Sequence, residues 1–200
     1  MVVFVVLLFW SSSFFQDIFF KLVDVFGALA VQHEFLAIFL FVGTSAVAAL
    51  ISPFTNIPLI PIAVVIWGPV FTLVCLLCGW LMGDILAYFI GRRFGYKVVR
   101  YFVIAERLDD WTRMVKERMK FSSALLLRIA LPAELGYAFG LVGYNVGAYI
   151  LITFIAELPF AIISAYASEA VLYGDTVKFF GFVGILFVII FFAFRMKHPQ

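Results

Sequence analysis

The sequence predicts an all-α integral membrane domain: about four transmembrane helices, two re-entrant helical hairpins inserted from opposite faces, and interfacial amphipathic helices. Three observations carry that expectation. Apolar residues make up 66% of the chain and charged residues 13%, outside the balance of water-soluble domains. The apolar residues fall in runs close to the roughly 20 residues a helix needs to cross the hydrocarbon of a bilayer. Two of those runs are broken by proline, glycine and charge, which a straight helix facing lipid does not tolerate. At 200 residues, a single polytopic domain over 1–200 accounts for the length.

The opening MVVFVVLLFW lacks the positive flank of a secretory signal and is expected to be retained. Residues 14–32 set Asp17, Lys21 and Asp24 at helical spacing opposite phenylalanines, the pattern of a helix lying in the interface. His33 and Glu34 form a polar edge before a first span over 35–52. From Pro53 to Pro69 the chain is apolar but carries four prolines, so it is expected to fold back as a re-entrant hairpin packed inside protein. A second span follows over 69–91, with Gly79, Gly83, Ala87 and Gly91 at every fourth position as a smooth packing face.

Between Arg92 and Lys120 lie nine of the fourteen basic residues against the acids Glu106, Asp109, Asp110 and Glu117, with Trp111 and Met114 on an amphipathic helical pattern. The positive-inside tendency assigns this loop to the cytoplasm. Residues 121–143, interrupted by Arg128, Pro132, Glu134, Gly136 and Gly140, read as a second hairpin. A third span over 145–172 contains Glu157 and Pro159, and a last span over 177–194 ends at Arg195, Lys197 and His198. Two spans separate the first helix from the basic loop and two more separate that loop from the basic tail. Both termini are therefore expected inside, with the first hairpin dipping from the outer face and the second from the inner face, as inverted repeats do.

Four ionisable residues fall at membrane depth: Asp84, Arg128, Glu134 and Glu157. Charge there is expensive unless paired or hydrated, which makes them the leading functional candidates. At 1.5 Å per residue Glu157 lies roughly 18 Å into its span and Asp84 about 10 Å from the cytoplasmic end. An acid in low dielectric resists ionisation, so either could load and release a proton. Arg128 stays charged and could pair with Glu134 or an acid from another helix, or hold a phosphate or carboxylate headgroup. The structural alternative is that these charges neutralise one another and pin the hairpins, Asp84 pairing with the nearby Arg92 or Arg93. Asn56, with Thr55 and Ser52, could line the first hairpin, or simply satisfy turn backbone.

Other chemistry finds little footing. The net charge of +2 is too small, and the bases too localised, for a nucleic-acid partner. Cys75 and Cys78 form a CxxC inside an apolar run, where cysteines act as small hydrophobes; a redox role would call for further cysteines to relay electrons. His33 and His198 sit at segment ends, so no intramembrane histidine pair is offered to haem or metal, and no phosphate-cradling glycine loop is present. No cofactor and no enzymatic reaction are expected.

The segment GDILAYFIGRRFG (83–95) and, more strongly, LLLRIALPAELGYAFGLVGYNVGAYILITFIAELPF (125–160) resemble the glycine-arginine signature and the arginine-proline hairpin of the DedA and VTT-domain membrane proteins. With the proline-rich first hairpin, the resemblance covers about residues 40–172. It implies two oppositely inserted hairpins among membrane helices and an activity that moves phospholipid or polyprenyl-phosphate headgroups between leaflets, in some members linked to the proton-motive force. On that resemblance Arg128 matches the family's hairpin arginine and Pro132 its proline. Two positions depart from it: Asn56 stands where many bacterial members carry an acid, and Glu134 near a second arginine. Both departures favour a less coupled, scramblase-like activity or a different substrate.

The expected function is thus a lipid translocase or scramblase in which Arg128, Pro132, Glu134 and Asn56 meet the headgroup while Asp84 and Glu157 balance charge or carry a proton. Membrane lipids are the partners, with a homo-oligomer possible. A prokaryotic plasma membrane is the expected location. A proton-coupled carrier for a small solute or cation would use the same acids without an opening to lipid. A non-transporting scaffold would use the amphipathic helices at 14–32 and 96–120 to bind a partner.

Overall fold

The computed structural model describes residues 13–51, 56–117, 120–131 and 134–197. The opening run, Ser52, Pro53, Thr55 and Pro132 lie outside the described residues. Among the described residues all regular structure is helical: α1 (Ser13–Gln32), α2 (Glu34–Leu50), α3 (Leu59–Val99), α4 (Ala105–Glu117), α5 (Phe121–Ala130), α6 (Leu135–Val142), α7 (Val146–Leu172) and α8 (Thr176–Lys197). Two of these, α3 and α7, are long and apolar enough to cross a membrane.

The chain divides into two compact units, Met1–Leu40 and Phe41–Gln200. In the first, α1 carries Lys21 and Asp24 on its exposed surface. It stops at His33, whose N–H still donates to Leu29 O while its carbonyl accepts from Leu36 and Ala37. That shared residue turns one helix into the next without orphaning backbone groups.

In the second unit, the proline-rich stretch resolves into a tight double-back. Asn56 Nδ2 donates to Ser45 Oγ at 2.7 Å, and the Trp67 ring packs on Phe41 with centroids 6.0 Å apart. Residues 56–67 therefore run antiparallel to α2. At Gly68 the backbone takes φ 76° and ψ 167°, a conformation that L side chains rarely adopt, and the chain reverses again. Pro69 follows immediately, where its missing N–H is not needed. From there α3 runs parallel to α2: Gly79 sits against Val42 and Ser45, and Gly83 against Ala46 and Ala49.

A second reversal uses the other half of α3. Arg128 near the end of α5 reaches Asp84, and the chain then turns into α6, which descends alongside α3 in the same direction. Gly136 lies against Asp84 and Ala87, and Gly140 against Tyr88 and Arg92. After the left-handed cap at Gly143 the chain returns in α7, antiparallel to α3, with Tyr88 OH donating to Tyr144 O and Tyr149 OH to Asp84 O at 3.1 Å.

The glycine stripe of α3 thus serves two partners. Gly79 and Gly83 seat α2, whereas Ala87 and Gly91 seat α6. The amphipathic α4 buries Leu108, Trp111 and Val115 and leaves Glu106, Arg107, Asp109, Asp110, Arg113 and Lys116 exposed. Its apolar face joins the core around Val99, Leu127, Tyr137 and Phe139 and packs on α6.

Candidate functional site

Asp84, Arg128, Glu134 and Glu157 are the charged residues buried among those described, and three of the four are acids. Three meet directly. Arg128 Nη2 donates to Asp84 Oδ2 at 2.5 Å and to Glu157 Oε1 at 2.6 Å, so α5 is tied at once to α3 and α7. The two carboxyl groups also lie within hydrogen-bonding reach of each other.

Satisfaction is incomplete. Asp84 Oδ1, Glu157 Oε2 and Arg128 Nε are buried without a partner. Fully ionised, the trio carries one negative charge in excess, which is costly away from water. A proton shared by the two carboxyl groups would neutralise that charge.

Glu134 stands apart from this trio. It is 4% exposed, its Oε2 has no partner, and it occupies the N-cap position of α6 without a side-chain capping bond. The Tyr137 side chain lies within electrostatic reach of both Glu134 and Asp84. The Tyr137 hydroxyl donates to Leu50 O at 3.1 Å, where α2 ends. The end of α2 and the start of α6 therefore meet beside α3, with the buried acids close by.

Asn56 is 2% exposed and belongs to a different arrangement. Its amide donates to Ser45, whose hydroxyl in turn donates to Phe41 O at 2.7 Å, a relay that locks the first reversal. The structure does not bring Asn56 into the Arg128 cluster. Nor does Asp84 pair with Arg92 or Arg93: Arg92 Nη1 donates to Tyr88 OH at 2.7 Å and its guanidinium lies over that ring.

Sequence reasoning missed an aromatic floor beneath the charges. Tyr88 stacks on Tyr149 with centroids 4.9 Å apart, and Phe139 leans on both Tyr144 and Tyr149. Tyr88 follows Asp84 by one helical turn, which was the available signal. Cys75 is buried and Cys78 exposed, both free thiols. Among the described residues no three histidine, cysteine or acidic side chains converge on a possible metal position.

Buried charge gathered beside two long apolar helices fits a membrane protein whose polar interior is enclosed by its own helices. Residues 35–170 match the VTT domain, and the chain belongs to the VTT-domain family, the domain of the DedA and SNARE-associated Golgi proteins. Members are generally membrane proteins linked to transport or lipid flipping. Comparison with curated proteins and with solved structures gives no match.

Proposed function

We propose that this chain moves lipid headgroups between the leaflets of its membrane, with Arg128 as the group that meets the phosphate. The observation that carries this reading is the double ion pair of Arg128 with Asp84 and Glu157, made at the end of a short helix rather than in the middle of a rigid one. Such a guanidinium can exchange one carboxylate for a phosphate oxygen without leaving its place, because carboxylate and phosphate both present anionic oxygens that its planar fork of N–H donors can bind. The freed acid then takes up a proton, which offsets the incoming negative charge, and releases it when the phosphate leaves.

The topology in this reading is multi-pass, with the double-back of α2 and residues 56–67 inserted from the outer face and the α5–α6 reversal from the inner face. Its support is that the first lies along the N-terminal half of α3 and the second along the C-terminal half, next to the basic stretch that follows Gly91. The C-terminus is then cytoplasmic; because α2 and the part of α3 after Gly68 run parallel, they are not the two successive crossings expected from the sequence, and the cytoplasmic N-terminus inferred from that count no longer follows. The cluster is closed in this state, with Arg128 5% exposed, so transfer requires the hairpins to part.

The test is leaflet exchange of a fluorescent phospholipid by purified protein in vesicles. Arg128→Ala and Glu157→Gln are each expected to reduce transfer by at least about tenfold, the scale of one lost buried charge contact. Unchanged transfer in both variants removes Arg128 and its partners from the mechanism.

A further inference from the structure

The C-terminal end of α3 carries a surface that the buried cluster does not use. Residues 92–105 hold four bases, Arg92, Arg93, Lys97 and Arg100, and no acid. Within that stretch Gly95 takes φ 69° and ψ −172°, which breaks α3 about one turn before its end. Counted at about 1.5 Å per residue from Pro69, the break comes after roughly 40 Å, the thickness of a bilayer with its headgroups.

Beyond the break the chain forms a tight knot. The Arg100 N–H donates to Tyr96 O, that of Tyr101 to Val98 O, and those of Phe102 and Val103 to Val99 O, at 2.9–3.1 Å. Val99 and Val103 are buried in the core and seat the knot there. What stays outside is basic and aromatic: Arg93, Phe94, Lys97, Arg100 and Tyr101 are all exposed. The Arg100 guanidinium lies 5.6 Å over the Tyr101 ring, and among the described residues no ion pair involves Arg93, Lys97 or Arg100. The facing acids of α4 leave these cations free. Asp109 lies within hydrogen-bonding reach of the Tyr96 hydroxyl, with Glu106 close to the same ring, and Asp110 pairs with Arg113 at 2.6 Å.

Cations set among exposed rings at headgroup depth complement a negatively charged bilayer surface: the cations meet phosphates and the rings settle at the acyl boundary. A soluble acidic partner would call for the cations but not for the rings at that depth. We propose that Arg93, Lys97 and Arg100, flanked by Phe94 and Tyr101, hold anionic phospholipid of the adjoining leaflet as a resident ligand that is not transported. The bound lipid balances this end of the chain and steadies the knot that joins α3 to α4. The assignment stands whether or not the chain moves lipid.

The experiment follows thermal unfolding of the full chain in a neutral detergent with added phosphatidylglycerol, phosphatidylcholine or soluble glycerol 3-phosphate. Phosphatidylglycerol is expected to raise the midpoint by about 5 °C, the other two by much less. The rise should shrink in about 0.5 M salt, which screens exposed charge. Combined Arg93→Gln, Lys97→Gln and Arg100→Gln should lose most of the rise, and each single replacement about a third of it. The charge-keeping set Arg93→Lys, Lys97→Arg and Arg100→Lys should retain it. Equal rises with phosphatidylglycerol and phosphatidylcholine, or a full rise in the glutamine variants, overturn the assignment. An equal rise with glycerol 3-phosphate overturns the lipid as occupant.

Discussion

The Tyr137 hydroxyl donates to the Leu50 carbonyl at 3.1 Å across 87 positions of sequence, and this bond fastens the end of α2 to the start of α6. The end of α2 is one of the places where backbone carbonyls have no helical partner. Tyr137 supplies a donor, and its ring stacks on Phe102 at 5.7 Å. Tyr137→Phe keeps the stack and removes the donor. The expected cost is about 1 kcal/mol, read as a lower midpoint of thermal unfolding in detergent. No shift in that midpoint would mean the bond contributes nothing.

Arg128 separates pinning from function. Arg128→Ala leaves Asp84 and Glu157 buried together without a cation, and is expected to cost about 3–5 kcal/mol. Combining Arg128→Met with Asp84→Asn and Glu157→Gln removes the charges as a set, and stability should largely return. Lipid transfer should stay lost in the triple variant. Recovery of transfer along with stability would assign the cluster a purely structural role.

The glycines of α3 and α6 differ sharply in what surrounds them. A Cβ at Gly140 would run into the Tyr88 carbonyl, which is backbone and cannot swing away, whereas at Gly181 in α8 nothing lies within 4 Å. Gly140→Ala is expected to destabilise by about 1–3 kcal/mol through overpacking. Gly181→Ala should be neutral or slightly stabilising. Equal unfolding midpoints for the two variants would contradict the close approach of α6 to α3.

Gly68 is constrained by conformation rather than by space, since nothing lies within 4 Å of its would-be Cβ but its φ is 76°. Gly68→Ala is expected to cost about 1–2 kcal/mol. Gly43, inside α2 with equal room and an ordinary helical backbone, should gain about 0.4–1 kcal/mol from the same change. Opposite signs in the two melts are the diagnostic result; a shared sign would place the reversal elsewhere.

The turn into α8 carries a pH dependence of known sign. Asp175 pairs its side chain with Lys178 Nζ at 2.8 Å and accepts the Lys178 backbone N–H at 3.1 Å. These bonds hold its carboxyl below the ordinary 3.8. The depressed acid contributes stability present above its ordinary value and lost as pH falls through the lower folded one. Amide exchange at residues 174–180, relative to its intrinsic rate, should therefore be slow above about pH 4 and quicken as pH falls below it. Asp175→Asn should abolish the acid-side change; persistence of that change would assign it to another group.

Much of the helical layout was legible because proline, glycine and charge interrupt otherwise uniform apolar sequence. Helix α4 followed from Trp111 and Met114 at helical spacing, and the first reversal from four prolines. Pairing was less legible. Asp84 stands between two and three turns from Arg92 and Arg93, so local spacing suggested those partners, yet the reversal between α5 and α6 delivers Arg128 from 44 positions away. Asn56 looked like a lining residue, but the double-back places Ser45 beside it and its amide is consumed there. Periodicity also showed the glycine stripe without showing that it divides between two neighbours, because a one-dimensional pattern does not reveal which helix lies at which height. The tyrosines beneath the cluster carried no signal beyond the turn that separates Tyr88 from Asp84.

Gly79 and Gly83 on one stretch of α3, and Ala87 and Gly91 on the next, offer their two neighbours surfaces with no protruding side chains. A contact of that kind resists separation through its area but opposes sliding very little. Helix α3 can accordingly serve as a common rail, along which either flanking segment shifts without first unlocking interdigitated teeth.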